Sequence, residues 1–264
     1  MKRSVLGLIA ALLSATPADA LNFFELEVYP ATTEGQGVHE IENLTTFVGN
    51  GRAEAGAETP RHRLLRTSLE YNYGLTDRID VAAYLDLQRP NGQDVEYAGS
   101  RARARGAVWE KGRFPVDLGW YLEAEIPHDD ESQLELEFRP ILSRDIGRFS
   151  LDLNPVFELP TVSEERRTLG FNYAARVYYR LSRDFYPGVE FFGGIGQIRA
   201  IDGSREQEHY VFPVLYGRLA RSFKFVAGPG FGVTRSSDPV VLKVGIEYEF
   251  TVPGGGAVGG RPTY

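Results

Sequence analysis

The chain has 264 residues, no cysteine and a formal net charge of −7. Without cysteine there is no disulfide framework and no Cys-based zinc site. An acidic balance with no basic run offers nothing to a phosphate backbone, which excludes nucleic acid as a partner.

At the N-terminus, Lys2 and Arg3 precede an apolar run from Val5 to Leu13, and Ser14 to Ala20 carries small residues at Ala18 and Ala20. That order reads as a secretory signal over residues 1–20, with cleavage before Leu21. The run is too short to cross a bilayer as a helix. In residues 21–37, Phe24, Leu26 and Val28 alternate with Glu25, Glu27 and Tyr29. This piece reads as an N-terminal arm, lying at the periplasmic rim or inside a lumen.

From residue 38 to residue 250 no stretch holds an apolar stripe at helical spacing. What recurs is alternation with period two over segments of roughly ten residues, the signature of transmembrane strands. Twelve segments follow in order: 38–49, 62–74, 79–88, 100–110, 114–126, 133–144, 148–159, 168–181, 185–198, 208–220, 223–234 and 239–250. The clearest are the fifth, seventh, eighth and twelfth. In the fifth, Phe114, Val116, Leu118, Trp120, Leu122, Ala124 and Ile126 oppose Asp117, Gly119, Tyr121, Glu123 and Glu125. In the twelfth, Val240, Leu242, Val244, Ile246, Tyr248 and Phe250 oppose Lys243, Glu247 and Glu249. Segments 38–49 and 208–220 alternate poorly.

These segments are long for soluble strands, which average about five or six residues. Aromatic residues such as Phe114, Phe149, Tyr179 and Phe250 stand near the ends of the apolar faces, which suits an interfacial girdle. Links alternate between short ones, such as 75–78, 111–113 and 221–222, and longer ones, such as 50–61 and 89–99. Outer-membrane barrels have short periplasmic turns and longer outer loops. The expected fold is therefore all-β: a transmembrane antiparallel up-and-down barrel of about twelve strands spanning residues 38–250. Residues 251–264 form a Gly-rich tail expected to be flexible.

The second and third segments meet at Glu70–Leu87, EYNYGLTDRIDVAAYLDL, where Gly74, Asp77 and Arg78 suit a tight reversal. The YGLTDRIDV run resembles the periplasmic turn of proteobacterial outer-membrane barrel families of the putative transporter type, including those encoded near phenol-degradation pathways. The resemblance covers this hairpin alone. It implies an outer-membrane barrel moving small hydrophobic solutes, and it carries over no binding residue.

In a barrel the inward positions are polar. By parity the lumen receives a ladder of charge: Arg101, Arg103 and Arg105, then Asp117, Glu123 and Glu125, then Glu135, Glu137 and Arg139, and later Arg176 and Arg180. The arginine row is expected to find its partners in the acids of the next two strands. Such a ladder selects solutes by charge if the lumen is open, or fills it with ion pairs if it is not. Twelve strands lie between the filled barrels of about eight and the aqueous channels of about sixteen.

Three of the four histidines, His62, His128 and His209, fall near the expected outer rim, the last two beside acids, and a His/carboxylate cluster there could serve a metal or a hydrolase. No spacing unites them into a motif. The glycine runs 193–196 and 228–232 lie inside alternating segments, not in a nucleotide-binding βαβ unit.

The leading expectation is a passive outer-membrane channel or transporter for small solutes, not an enzyme, with no cofactor. A filled barrel with a structural or surface-interaction role is the alternative, and an outer-membrane hydrolase the third. Expected partners are outer-membrane lipid and lipopolysaccharide and the barrel-insertion machinery.

Overall fold

A computed structural model describes residues 22–252 except 25, 52–59, 128–133 and 161–168. Residues 1–20, expected to be a secretory signal, the tail beyond 252 and His128 lie outside the described residues. The chain forms β1 (Val38–Val48), β2 (Leu64–Thr76), β3 (Ile79–Arg89), β4 (Glu96–Ala107), β5 (Asp117–Pro127), β6 (Glu135–Ile146) and β7 (Phe149–Pro160). Then come β8 (Gly170–Tyr179), β9 (Phe185–Gln197), β10 (Ala200–Ile201), β11 (Glu208–Ala220), β12 (Phe223–Gly232) and β13 (Val240–Thr251). Each long strand pairs antiparallel with its neighbours, and β1 pairs with β13 from Val38↔Thr251 to Val48↔Val241. That seam closes a cylinder of twelve wall strands. The two-residue β10 is a small hairpin extension of β9. Closure matters because hydrocarbon offers no partner to an unpaired backbone group.

Parity sets the two faces. On β13, Leu242, Val244, Ile246 and Tyr248 face outward and Val241, Lys243 and Glu247 are buried inside. The same switch runs round the wall, so Ile41, Leu69, Leu85, Leu122, Phe138, Leu153, Phe191 and Leu215 all stand exposed. An apolar belt of that extent would be untenable on a water-soluble surface. At the end with the short turns, aromatic rings gather: His39 stacks on Phe250 at 5.1 Å, and Phe149 meets Tyr179 at 5.0 Å. This is the expected interfacial girdle.

Two details of the sequence reading change. The link before β5 runs from 108 to 116, longer than expected, because Arg113 N–H donates to the Glu110 carbonyl and Trp109 packs on Phe114 at 4.8 Å. Pro115, lacking an N–H, cannot extend the ladder. Gly74 lies inside β2, not in the turn, which is left to Asp77 and Arg78. Its role is closeness: a Cβ there would come within 1.9 Å of the Gly35 carbonyl. The chain turns from the arm into β1 at Gly37, whose φ of 77° suits glycine.

Short turns mark the periplasmic side, so the loop between β3 and β4 faces outside. Gln93 is exposed in it. A cysteine placed there should react with an impermeant thiol reagent on intact cells. Labelling only after the outer membrane is broken would invert the topology.

Candidate functional site

The lumen is occupied by the chain itself. Residues 22–24 and 26–37 run through it without joining a strand ladder, from the outer mouth to the periplasmic rim. Phe23 lies at the outer end, with its ring 5.6 Å from that of Tyr210 on β11 and its carbonyl accepting from Thr46 Oγ1 at 3.0 Å. Midway, Asn154 on β7 grips Tyr29 twice, its Oδ1 accepting from the Tyr29 N–H at 2.7 Å and its Nδ2 donating to the Tyr29 carbonyl at 3.0 Å. Further down, Ala31 N–H donates to Ser143 Oγ at 2.8 Å and Glu34 N–H to Asp80 Oδ2 at 3.1 Å. At the rim Gly37 N–H donates to the Gly74 carbonyl at 2.8 Å. The arm thus satisfies buried backbone groups through wall side chains rather than through a strand ladder.

The arm alternates, and so do its surroundings. Leu26 and Val28, with Phe23, pack into an apolar cluster lined by Tyr178, Phe192, Tyr210, Phe212 and Tyr216. Glu27 and Tyr29 serve the charged half of the wall. The Tyr29 ring lies 5.2 Å from the Arg105 guanidinium, 5.4 Å from Arg103 and 5.6 Å from Arg139. Three cations around one aromatic face hold it by cation–π attraction. Lys243 bridges the two sides, donating to the Leu26 carbonyl at 2.9 Å and pairing with Glu190.

Arg101, Arg103 and Arg105 all point inward and are 4–6% exposed. Their partners, however, lie mainly on the strands before them. Arg101 Nε donates to Asp86 Oδ2 at 2.7 Å, with Glu123 at the longer 3.5 Å. Arg103 spans three strands, pairing with Asp80 on β3 and with Glu70 on β2 at 2.5 Å, and donating to Tyr84 Oη at 2.6 Å. Arg105 pairs with Asp80 at 2.8 Å. The physical reason is steric. Arg103 stands opposite Ala82 on β3, whose small side chain lets the guanidinium lie across to β2.

Of the acids expected to match the row, Glu123 pairs with Arg101 and stands opposite Arg103, and Glu125 stands opposite Arg101, and these acids have further contacts of their own. Glu123 stands opposite Glu137, and Glu125 opposite Glu135. Glu123 accepts from Tyr121 Oη, Glu137 pairs with Arg139 on its own strand, and Glu125 accepts from Asn22 at 3.5 Å. Asp117 caps the preceding turn, accepting from Gly112 N–H at 2.6 Å. Arg176 pairs with Asp152 at 2.7 Å. Arg180 does not join the lumen: β8 has ended, and it clamps the β6–β7 turn through Asp145 at 3.0 Å and the Gly147 carbonyl at 2.8 Å.

At the outer mouth Arg61 holds Glu208 at 2.6 Å and Asp238 at 3.1 Å. Burial opposes its charge, but these two carboxylates hold its pKa above the ordinary arginine value. His209 turns the other way, with Nδ1 3.0 Å from Tyr173 Oη, while His39 lies at the opposite end of the barrel. Among the described residues no histidine joins an acidic group close enough to hold an ion. Sequence reasoning missed Glu27, Tyr29 and the inward aromatic half. The signal was present in residues 208–220, whose inward face (Tyr210, Phe212, Val214 and Tyr216) is apolar and therefore needs an apolar occupant.

The sequence matches no protein-family profile and no curated protein. Its fold resembles an outer-membrane channel from Pseudomonas putida F1, at 12% identity and a TM-score of 0.60 over 85% of this chain and 100% of that one. It resembles the KdgM porin, in complex with disordered oligogalacturonate, at 12% identity and 0.53 over 81% and 99%. The NanC porin gives 8% identity and 0.55 over 80% and 98%. The likeness is one of fold. The chain is an outer-membrane β-barrel of twelve wall strands whose lumen holds its own residues 22–24 and 26–37.

Proposed function

We propose that this barrel is an outer-membrane channel for small solutes, kept closed by the arm in its lumen. The observation that carries the reading is how the arm is held. It is tied to the wall by side-chain bonds from Thr46, Asp80, Ser143, Asn154 and Lys243. No wall ladder breaks if it leaves. Behind it stands a passage with charged residues on one side and aromatic residues on the other, which would admit small amphipathic or charged solutes. Likeness in fold to porins and a channel supports the class of protein, not the solute. The outward belt would meet outer-membrane lipid and lipopolysaccharide after delivery by the insertion machinery, and the reading assigns the barrel no catalytic step.

A second reading is a permanently filled barrel with a structural or surface role. The packing of Phe23, Leu26 and Val28 against the aromatic wall favours it. Planar-bilayer conductance separates the two. The intact chain should be nearly silent, and a chain lacking residues 22–36 should conduct in discrete steps. A shortened chain that folds and stays silent would leave the filled barrel standing.

A further inference from the structure

The geometry points to a divalent-cation site inside the barrel, formed by Glu27 of the arm, Glu42 of β1 and Glu70 of β2, which takes calcium and pins the arm to the seam side of the wall. One carboxylate oxygen from each of the three lies within 4.8 Å of the others. Two oxygens bound to one calcium at about 2.4 Å stand at most about 4.8 Å apart, so the three already fit around one ion with little movement. Magnesium, at about 2.1 Å and with strict octahedral demands, fits this spread less well. An all-carboxylate donor set also favours a hard cation over zinc or copper.

An independent observation points to a ligand here. Glu42 is 6% exposed, and among the described residues it has no hydrogen-bond or ion-pair partner. Glu70 has Arg103 at 2.5 Å, and Glu27 accepts from Tyr29 Oη at 2.8 Å. Glu42 instead stands directly opposite Glu70 across the β1–β2 pair. Like charges so placed repel, and a lone buried carboxylate is costly. The nearby group of Glu34, Glu40 and Glu249 makes the contrast clear. Lys224 sits among its members, 3.3 Å from Glu40 and paired with Glu249. Lys224 thus serves two members of that group, whereas in the Glu42 group Arg103 pairs with Glu70 and Arg101 lines the cavity, and among the described residues neither pairs with Glu42. The wider balance agrees: among the described residues fourteen buried acids face seven buried bases. A cavity of about 10 Å³ opens at the triad beside Tyr84 and Ser68, room for one water-sized particle.

The site rests on the position of the arm, not on the channel reading, so a conductance result leaves it untouched. Terbium is the probe, because Tyr29 and Tyr84 can sensitise its emission in place of calcium. The full chain, refolded in detergent and stripped with a chelator, should show one saturable terbium site displaced by calcium. Glu42→Gln should weaken it about tenfold or more, since ligand charge sets affinity in such sites. Glu34→Gln should bind as the unaltered chain does. Absence of saturable emission, or equal affinity in Glu42→Gln, overturns the site. If the variants do not refold, the unaltered chain still decides the matter. Calcium should raise its unfolding midpoint above that in sodium at equal ionic strength, and an unchanged midpoint overturns the site as well.

Discussion

Arg103→Leu should destabilise the folded barrel by about 3–5 kcal/mol, the usual cost of removing one partner from a buried ion pair. Arg103 joins Asp80, Glu70 and Tyr84, and so ties β2, β3 and β4 together from inside. Its loss is not spread evenly. Asp80 keeps Arg105 at 2.8 Å. Glu70 loses its arginine while still facing Glu42 across the strand pair, so most of the cost should fall there. Adding Glu70→Leu to Arg103→Leu should recover part of the stability, because a buried acid then no longer lacks its base. Urea unfolding in lipid or detergent, or the temperature at which the folded gel band disappears, reads the effect. If a pore is open, its selectivity should also move toward cations. Stabilisation by Arg103→Leu would show that the row faces lipid, where relief of about 2–4 kcal/mol is expected.

Lys243→Met should cost a comparable amount, about 3–5 kcal/mol, but by a different route. Lys243 is 2% exposed, sits 5.2 Å above the Phe192 ring and binds both Glu190 and the Leu26 carbonyl. Methionine keeps the length and fills the space, so little packing is lost. What remains is Glu190, also 2% exposed, with Tyr216 Oη as its donor, and an arm carbonyl without its ammonium. Lys243→Met together with Glu190→Gln should recover much of the wall's stability and leave the arm loosened. Protease cleavage within residues 22–37 of the folded protein would report that loosening. A single variant as stable as the unaltered chain would mean that the Lys243–Glu190 pair contributes little and that the arm is held elsewhere.

The wall was legible because lipid enforces parity. Along β5, β7, β8 and β13 one face had to be free of charge, and the alternation located those strands within a few residues. Segments 38–49 and 208–220 read poorly for physical reasons. On β11 both faces are apolar, Val211 and Leu215 toward lipid and Phe212 and Tyr216 toward the arm. On β1 the outward face carries Asn43 and Thr45, which satisfy each other and Thr67 at 2.7–3.0 Å. Of the partners of the arginine row, Glu123 was legible, and Glu70, Asp80 and Asp86 on the strands before it were not. Parity gives the face a side chain takes, but not whether it leans toward the strand before or after, and that turned on the small Ala82. The arm was legible only as an alternating segment outside the wall. Its depth in the lumen depended on contacts more than a hundred residues away in sequence, such as Tyr29 with Asn154.

The seam between β1 and β13 has a kinetic consequence. Val38 and Thr251 are the most distant partners in the chain, and pairing of such separation forms last because it closes the largest loop. Residues 22–37 lead directly into the first strand of that seam. A cylinder already shut would have to admit them end-on, past Gly37 and Gly74. The economical order is the reverse: the open sheet curls around the segment, and the seam then zips over it. In that order the arm is enclosed as the seam forms, and its aromatic and guanidinium contacts are made before the last ladder closes over them.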